Sequence, residues 1–158
     1  MPRDVPLTLL VDGTVAFGVH AGVAVVVTNL GEWGVEQSER LFAESTALSQ
    51  QNPHNLIQVF GPPPNARART RMAELQKDVD RRFPVHAPRR IAVLTSSAVI
   101  RGAMTALRWL TGEQLVGFAP ADVNAAATWA VGDSQDPAPV AAMHREALAR
   151  LGFPPGSS

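Results

Sequence analysis

The six residues Val23–Thr28 (VAVVVT) constrain this chain more than any other stretch. An unbroken β-branched run has no polar face, so as a strand it must be covered on both sides. Two later runs share its character, Leu56–Phe60 (LIQVF) and Ile91–Thr95 (IAVLT). Between these runs the apolar spacing changes from strand-like to helix-like. Val35, Leu41, Phe42, Ser45 and Leu48 mark a helix from Val35 to the neighbourhood of Gln51, stopped by Asn52-Pro53. Ala68, Met72, Leu75 and Val79 mark a second, which ends before Pro84. Alternation of buried strand and amphipathic helix predicts a largely parallel sheet with helices laid over it.

The flanking segments complete that outline. Leu7–Val11 is a short apolar run closed by the turn dipeptide Asp12-Gly13, and Val15, Phe17 and Val19 alternate beyond it. With Val23–Thr28 these predict an N-terminal antiparallel meander, followed by a loop at 29–34. The segment Gly61-Pro62-Pro63-Pro64 ends the next strand. Ser96 and Ser97 are cap candidates for a third helix lined by Val99, Ile100, Ala103, Leu107 and Leu110 and closed by Gly112. A short strand follows at Leu115–Phe118. Then comes a helix at Pro120–Val131 with Val123, Ala126, Ala127 and Ala130 facing inward. The expected fold is α/β: a mixed, mostly parallel sheet with N-terminal antiparallel strands, covered by about four helices, plus a C-terminal helix. Residues 1–132 form the α/β domain. Residues 133–158 supply a linker, a helix at Val140–Leu151 that packs on its own body, and a frayed tail.

A length of 158 residues suits one domain, large enough to fold without a metal or disulfide. There is no cysteine, which excludes disulfides, thiol catalysis and thiolate metal sites. The amino-terminal residues show no secretory signal, and the longest apolar stretch, 15–27, is too short to cross a bilayer; a cytoplasmic, non-membrane protein is expected. The chain is neutral, with 14 basic and 14 acidic side chains, which argues against a dedicated nucleic-acid binder. The charge is uneven, however. Residues 62–90 hold eight Lys or Arg against three Asp or Glu, while residues 1–61 hold two against six. A basic middle of this kind is a dock for an acidic partner surface. Its other reading is a solvated helix face on which Arg67, Arg71, Glu74, Asp78 and Arg81 pair along the helix.

Few residues carry chemistry. The four histidines, His20, His54, His86 and His144, show no metal-ligand spacing, so no metal or other cofactor is expected. No G-x-S-x-G elbow accompanies Ser96 or Ser97. The close carboxylates Glu32 with Glu36 and Asp78 with Asp80 lie on polar segments, where an ordinary pKa makes a poor general acid. A non-enzymatic chain is the expectation. Thr95, Ser96, Ser97 and Arg101, at a helix N-terminus, are candidates for an anion cradle in a small-ligand or nucleotide-binding module, with capping serines and a solvated arginine as the plainer alternative. Trp33, between Gly31 and Gly34, is either a staple on the next helix or an exposed contact.

Residues 90–131 read RIAVLTSSAVIRGAMTALRWL and, further on, LVGFAPADVNAAATWAV. This resembles the C-terminal half of bacterial STAS-like domains, the group of the anti-sigma-factor antagonists and their non-phosphorylated relatives. Arg101, Gly102, Thr105, Ala106, Trp109 and Leu110 match the first helix of that pattern, and Ala127 and Trp129 match the second. The likeness covers residues 7–131 in element order and about 40 residues in detail. It implies a regulatory or scaffold domain in signalling that acts by protein–protein contact. Where phosphorylatable members carry Asp-x-Ser, this chain has Gly61-Pro62-Pro63-Pro64-Asn65, so switching at that position is lost. The partner-binding candidates are Trp33, Asn65, Arg67, Arg71, Arg101 and Arg108, facing a protein with an acidic surface; homo-oligomerisation is compatible with this reading.

Overall fold

The computed structural model describes residues 3–50, 54–84, 88–102, 104, 114–133 and 135–158. The first three strands, β1 (Val5–Leu10), β2 (Val15–His20) and β3 (Val23–Asn29), form the expected antiparallel meander. Helix α1 (Val35–Leu48) then leads to β4 (His54–Phe60) and α2 (Ala66–Arg82) to β5 (Arg90–Leu94). Helical backbone begins again at 98–102, before β6 (Gln114–Phe118). A 3₁₀ turn at Pro120–Asp122 precedes α3 (Val123–Val131), and α4 (Ala138–Arg150) closes the chain. The six strands lie in sequence order, with β3 to β6 parallel. The expected α/β architecture is what the chain adopts. Among the described residues no helix is long and apolar enough to cross a membrane.

The two faces of the sheet are covered differently. On one face, Val23, Val25, Leu56, Ala92 and Leu94 pack against Ala126, Ala127 and Ala130 of α3 and Val140 and Ala141 of α4. Every one of these is essentially inaccessible to solvent. Alanine puts little between helix axis and sheet, so the helices settle close and the face seals. The opposite face lies under α1 and α2, which between them bury only Ser38, Leu41 and Ala68. Met72, Leu75 and Val79, the expected buried stripe of α2, are half-exposed. Val35 and Leu48 of α1 are more than a third exposed. The strand residues beneath follow suit: in β4, Leu56, Gln58 and Phe60 on the sealed face are buried, while Ile57 and Val59 on the other are not. Val26 is likewise only half-buried, so the β3 run is sealed on one side and partly open on the other.

The C-terminal segment belongs to the body. Helix α4 buries Val140, Ala141, His144, Ala147 and Leu148. Beyond it, Phe153 stacks on Phe60 at 3.9 Å between ring centroids, and the Ser157 carbonyl accepts from Gln58 Nε2 at 2.8 Å. An aromatic stack and a sheet side chain thus join the segment after α4 to the sheet.

Gly18 sits where β2 meets α4. A Cβ there would lie 2.7 Å from Met143 Sδ and 3.2 Å from Leu7 Cα, so only a glycine admits both neighbours. Gly18→Val should cost about 1–3 kcal/mol in urea unfolding. Adding Met143→Ala should return part of that loss, because it clears one of the two contacts.

Candidate functional site

Parallel strands present their C-terminal ends at one edge of a sheet, and the loops leaving that edge gather residues distant in sequence. Here the edge collects the segments after β4 and β5, residues 61–65 and 95–97. Gly61, at φ +88°, starts the first of them. A Cβ at this position would lie 2.9 Å from the Leu30 carbonyl, so both conformation and space require glycine. Asn65 then caps α2: its Oδ1 accepts from the Ala68 N–H at 2.8 Å.

At the second loop, Thr95 Oγ1 accepts from Ser97 N–H and Ser97 Oγ accepts from Ile100 N–H, both at 3.2 Å. Arg101 turns back to donate to the Thr95 carbonyl at 2.7 Å. Its backbone lies against Gly117 of β6, where a Cβ would meet Arg101 Cα at 3.2 Å. These groups thus bind one another in a capped helix start. Ser96 stands exposed beside them.

The partner-binding candidates separate. Trp33 is only 6% exposed, and its Nε1 donates to Ser38 Oγ at 2.9 Å. It is a staple on α1 and not an exposed contact. Arg71 bridges the two helices of its layer, binding Glu39 at 2.9 Å and Glu74 at 3.2 Å. Arg81 and Arg82 bind Asp78, and Arg89 binds Asp80 at 2.7 Å. Much of the basic excess is thus paired within the layer. Arg67 is exposed and, among the described residues, makes no ion pair. Val99 and Ile100, expected to face inward, are 82% and 46% exposed. The edge is therefore both basic and apolar. Arg108, Thr105, Ala106, Trp109 and Leu110 lie outside the described residues, as do His86, Ala103, Leu107 and Gly112.

The carboxylates Asp78 and Asp80 are held below the usual carboxylate range, chiefly by hydrogen bonds from Arg81 and Arg89 respectively. Both stay ionised at neutral pH, which suits ion pairing and not proton donation. Among the described residues no three His, Asp or Glu converge as a metal site. His144 is buried in α4, with Nε2 2.8 Å from Gln58 Oε1. Gln58 donates its Nε2 to Ser157, so Oε1 is the acceptor and His144 Nε2 carries the proton. A second proton would sit on Nδ1, which is buried without a partner among the described residues. Burial, followed by the Arg145 charge, lowers its pKa to about 4. His54 opens β4 with Nδ1 3.1 Å from the Arg90 N–H, and burial plus the Arg90 and Arg89 charges lower it also to about 4.

Sequence reasoning missed a cavity of about 410 Å³ under α1 and α2, on the loosely covered face. Its walls include Phe42, Ile57, Val59, Met72 and Val79. Each of these reads in sequence as an ordinary core residue. The available signal was the weak apolar content of α2, whose seventeen residues include five arginines. Compared with known proteins, the chain matches no family model, no curated protein and no solved structure.

Two outcomes are expected. Asn65→Ala should cost about 1 kcal/mol of stability through the lost cap, seen in urea titration. The two histidines bind protons more weakly folded than unfolded, so the stability they contribute is complete above pH 6.5. It should fall as pH drops toward 4. For His144 alone this is on the order of 3 kcal/mol, and His144→Gln should flatten the profile over that window.

Proposed function

We propose that this protein is a non-enzymatic regulatory or scaffold domain of STAS-like build, acting in signalling by protein–protein contact. The partner is bound at the C-terminal edge of the parallel strands. The observation that carries this reading is the outward placement of Val99 and Ile100 next in sequence to the capped loop after β5. On the adjacent strand, the loop after β4 leads to the exposed Arg67. Apolar groups supply the buried centre of an interface, and a flanking arginine supplies direction and rate toward an acidic partner. The resemblance of residues 90–131 to STAS-like domains supports the same surface, since that family's regulatory position corresponds to the loop 61–65. With proline in place of a phosphorylatable residue there, docking here is constitutive.

Arg67→Glu combined with Val99→Glu changes only exposed groups, so the fold should survive, as circular dichroism will report. In pull-downs from the native cell, identified by mass spectrometry, the double variant should lose partners that the parent retains. Retention of every partner at parental yield would overturn the proposal.

A further inference from the structure

The cavity under α1 and α2 is elongated, and its two ends differ. Asn55, Ile57 and Val59, alternate residues of β4, all line it, so it follows that strand for roughly 13 Å at the usual rise of a strand. Both covering helices run back against the strand direction, because each joins the end of one parallel strand to the start of the next. Their C-terminal turns therefore lie at the Asn55 end, which is also lined by Ser49, Gln50, Gln76, Asp80 and Arg89. Toward the other end the walls are Val59, Leu41, Met72 and Trp33. Thr28 lines the cavity as well; it is 1% exposed, and its hydroxyl has no hydrogen-bond partner in the described structure. The cavity lies within the range of small-molecule sites, with largely apolar walls, most of its polar groups toward the Asn55 end and the Thr28 hydroxyl beside Val59 at the other.

The charge at the polar end selects among head groups. Asp80 and Arg89 are bound to each other at 2.7 Å, and Gln76 donates to Asp80 at 2.9 Å, so the pair presents no net charge. Helix α1 ends there with no basic residue in its last turn, leaving the partial negative charge of its carbonyls facing that end. A carboxylate or phosphate is disfavoured by those carbonyls. Among the described residues an ammonium finds no free carboxylate at that end, since Asp80 is taken. A hydroxyl or amide finds the donor and acceptor of Asn55.

We propose that this cavity binds a neutral amphiphile, an elongated hydrocarbon chain carrying a hydroxyl or amide head, with the chain along Ile57 and Val59 and the head at Asn55. The polar end of the site stands apart from the docking edge, at the N-terminal ends of β4 and β5; the apolar end reaches Pro64, in the loop after β4.

The test uses the full chain and 1-decanol below its solubility limit, followed by isothermal titration calorimetry and thermal shift. The parent should bind one equivalent, with a raised melting temperature. Decanoate and decylamine, which share the chain and differ in head charge, should bind at least tenfold more weakly. Ile57→Trp fills the slot from the strand and Met72→Trp fills it from the helix. Whichever of the two keeps the parental circular dichroism should lose decanol binding. Asn55→Asp should shift preference from decanol toward decylamine. No binding of decanol by the parent, or undiminished binding by a folded slot-filled variant, would overturn the site. Decanoate binding as tightly as decanol would overturn the neutral head group.

Discussion

The close seating of two helices on one face of the sheet is the contact on which the rest of this molecule depends. Ala126, Ala127 and Ala130 bring α3 down onto β4 and β5, and Val140, Ala141 and Ala147 do the same for α4 over β2 and β3. The strands beneath are β-branched or leucine-rich and present a continuous apolar surface. Burial of apolar area at roughly 25 cal/mol per Å² makes such a layer the main stabilising element of a domain this size. Packing at crystal-like density also explains why Gly18 cannot be enlarged where Met143 crosses it. The other face holds a second buried cluster that includes Val15, Phe17, Trp33, Leu41 and Ala68, and is covered loosely beside it, over Ile57 and Val59.

Among the described residues one polar pair, Gln58 and His144, interrupts the sealed layer. Gln58 projects from the centre of β4 and is buried, yet both ends of its amide are used, one by His144 and one by the Ser157 carbonyl. A buried amide without these partners would be costly, so the arrangement ties sheet, last helix and tail into one register. The same network makes the last segment sensitive to acid, because among the described residues a second proton on His144 Nδ1 finds no acceptor. Nearby, the Phe60–Phe153 stack joins the tail to the end of the strand from which the loop 61–65 departs. The proposed docking edge thus rests on a strand end that the C-terminal residues help to fix.

The two surfaces proposed for function follow from topology. Parallel strands linked by helices place all strand ends of one kind at one edge, and the helices must return along the opposite direction. The C-terminal ends collect loops from separate parts of the chain at the proposed docking edge, where Val99, Ile100 and Arg67 are exposed. The helix C-termini collect at the other edge, where the polar end of the cavity lies. Ion pairs such as Arg71 with Glu39 join α1 to α2. Exposed pairs of this kind contribute little to stability, which suits a layer that spans a cavity instead of a dense core.

Element identity was legible from local chemistry. The runs VAVVVT, LIQVF and IAVLT could only be strands, Asp12-Gly13 and the proline run could only interrupt, and the alanines of 126–130 faced inward as their spacing required. The cap at Ser97 and the strand order through the meander also follow from short-range rules. What could not be read is how near one layer approaches another. Met72 and Val79 have the spacing of buried residues, and Val99 and Ile100 have the composition of them, yet all four remain at least partly exposed. Nor could spacing reveal that Trp33 would find Ser38, or that Gln58 would find both His144 and Ser157. Periodicity states which side of an element is apolar, because that depends on residues within a few positions. Whether that side is sealed, left over a cavity or turned to solvent depends on the bulk of side chains far away in sequence, and only the assembled tertiary structure brings those together.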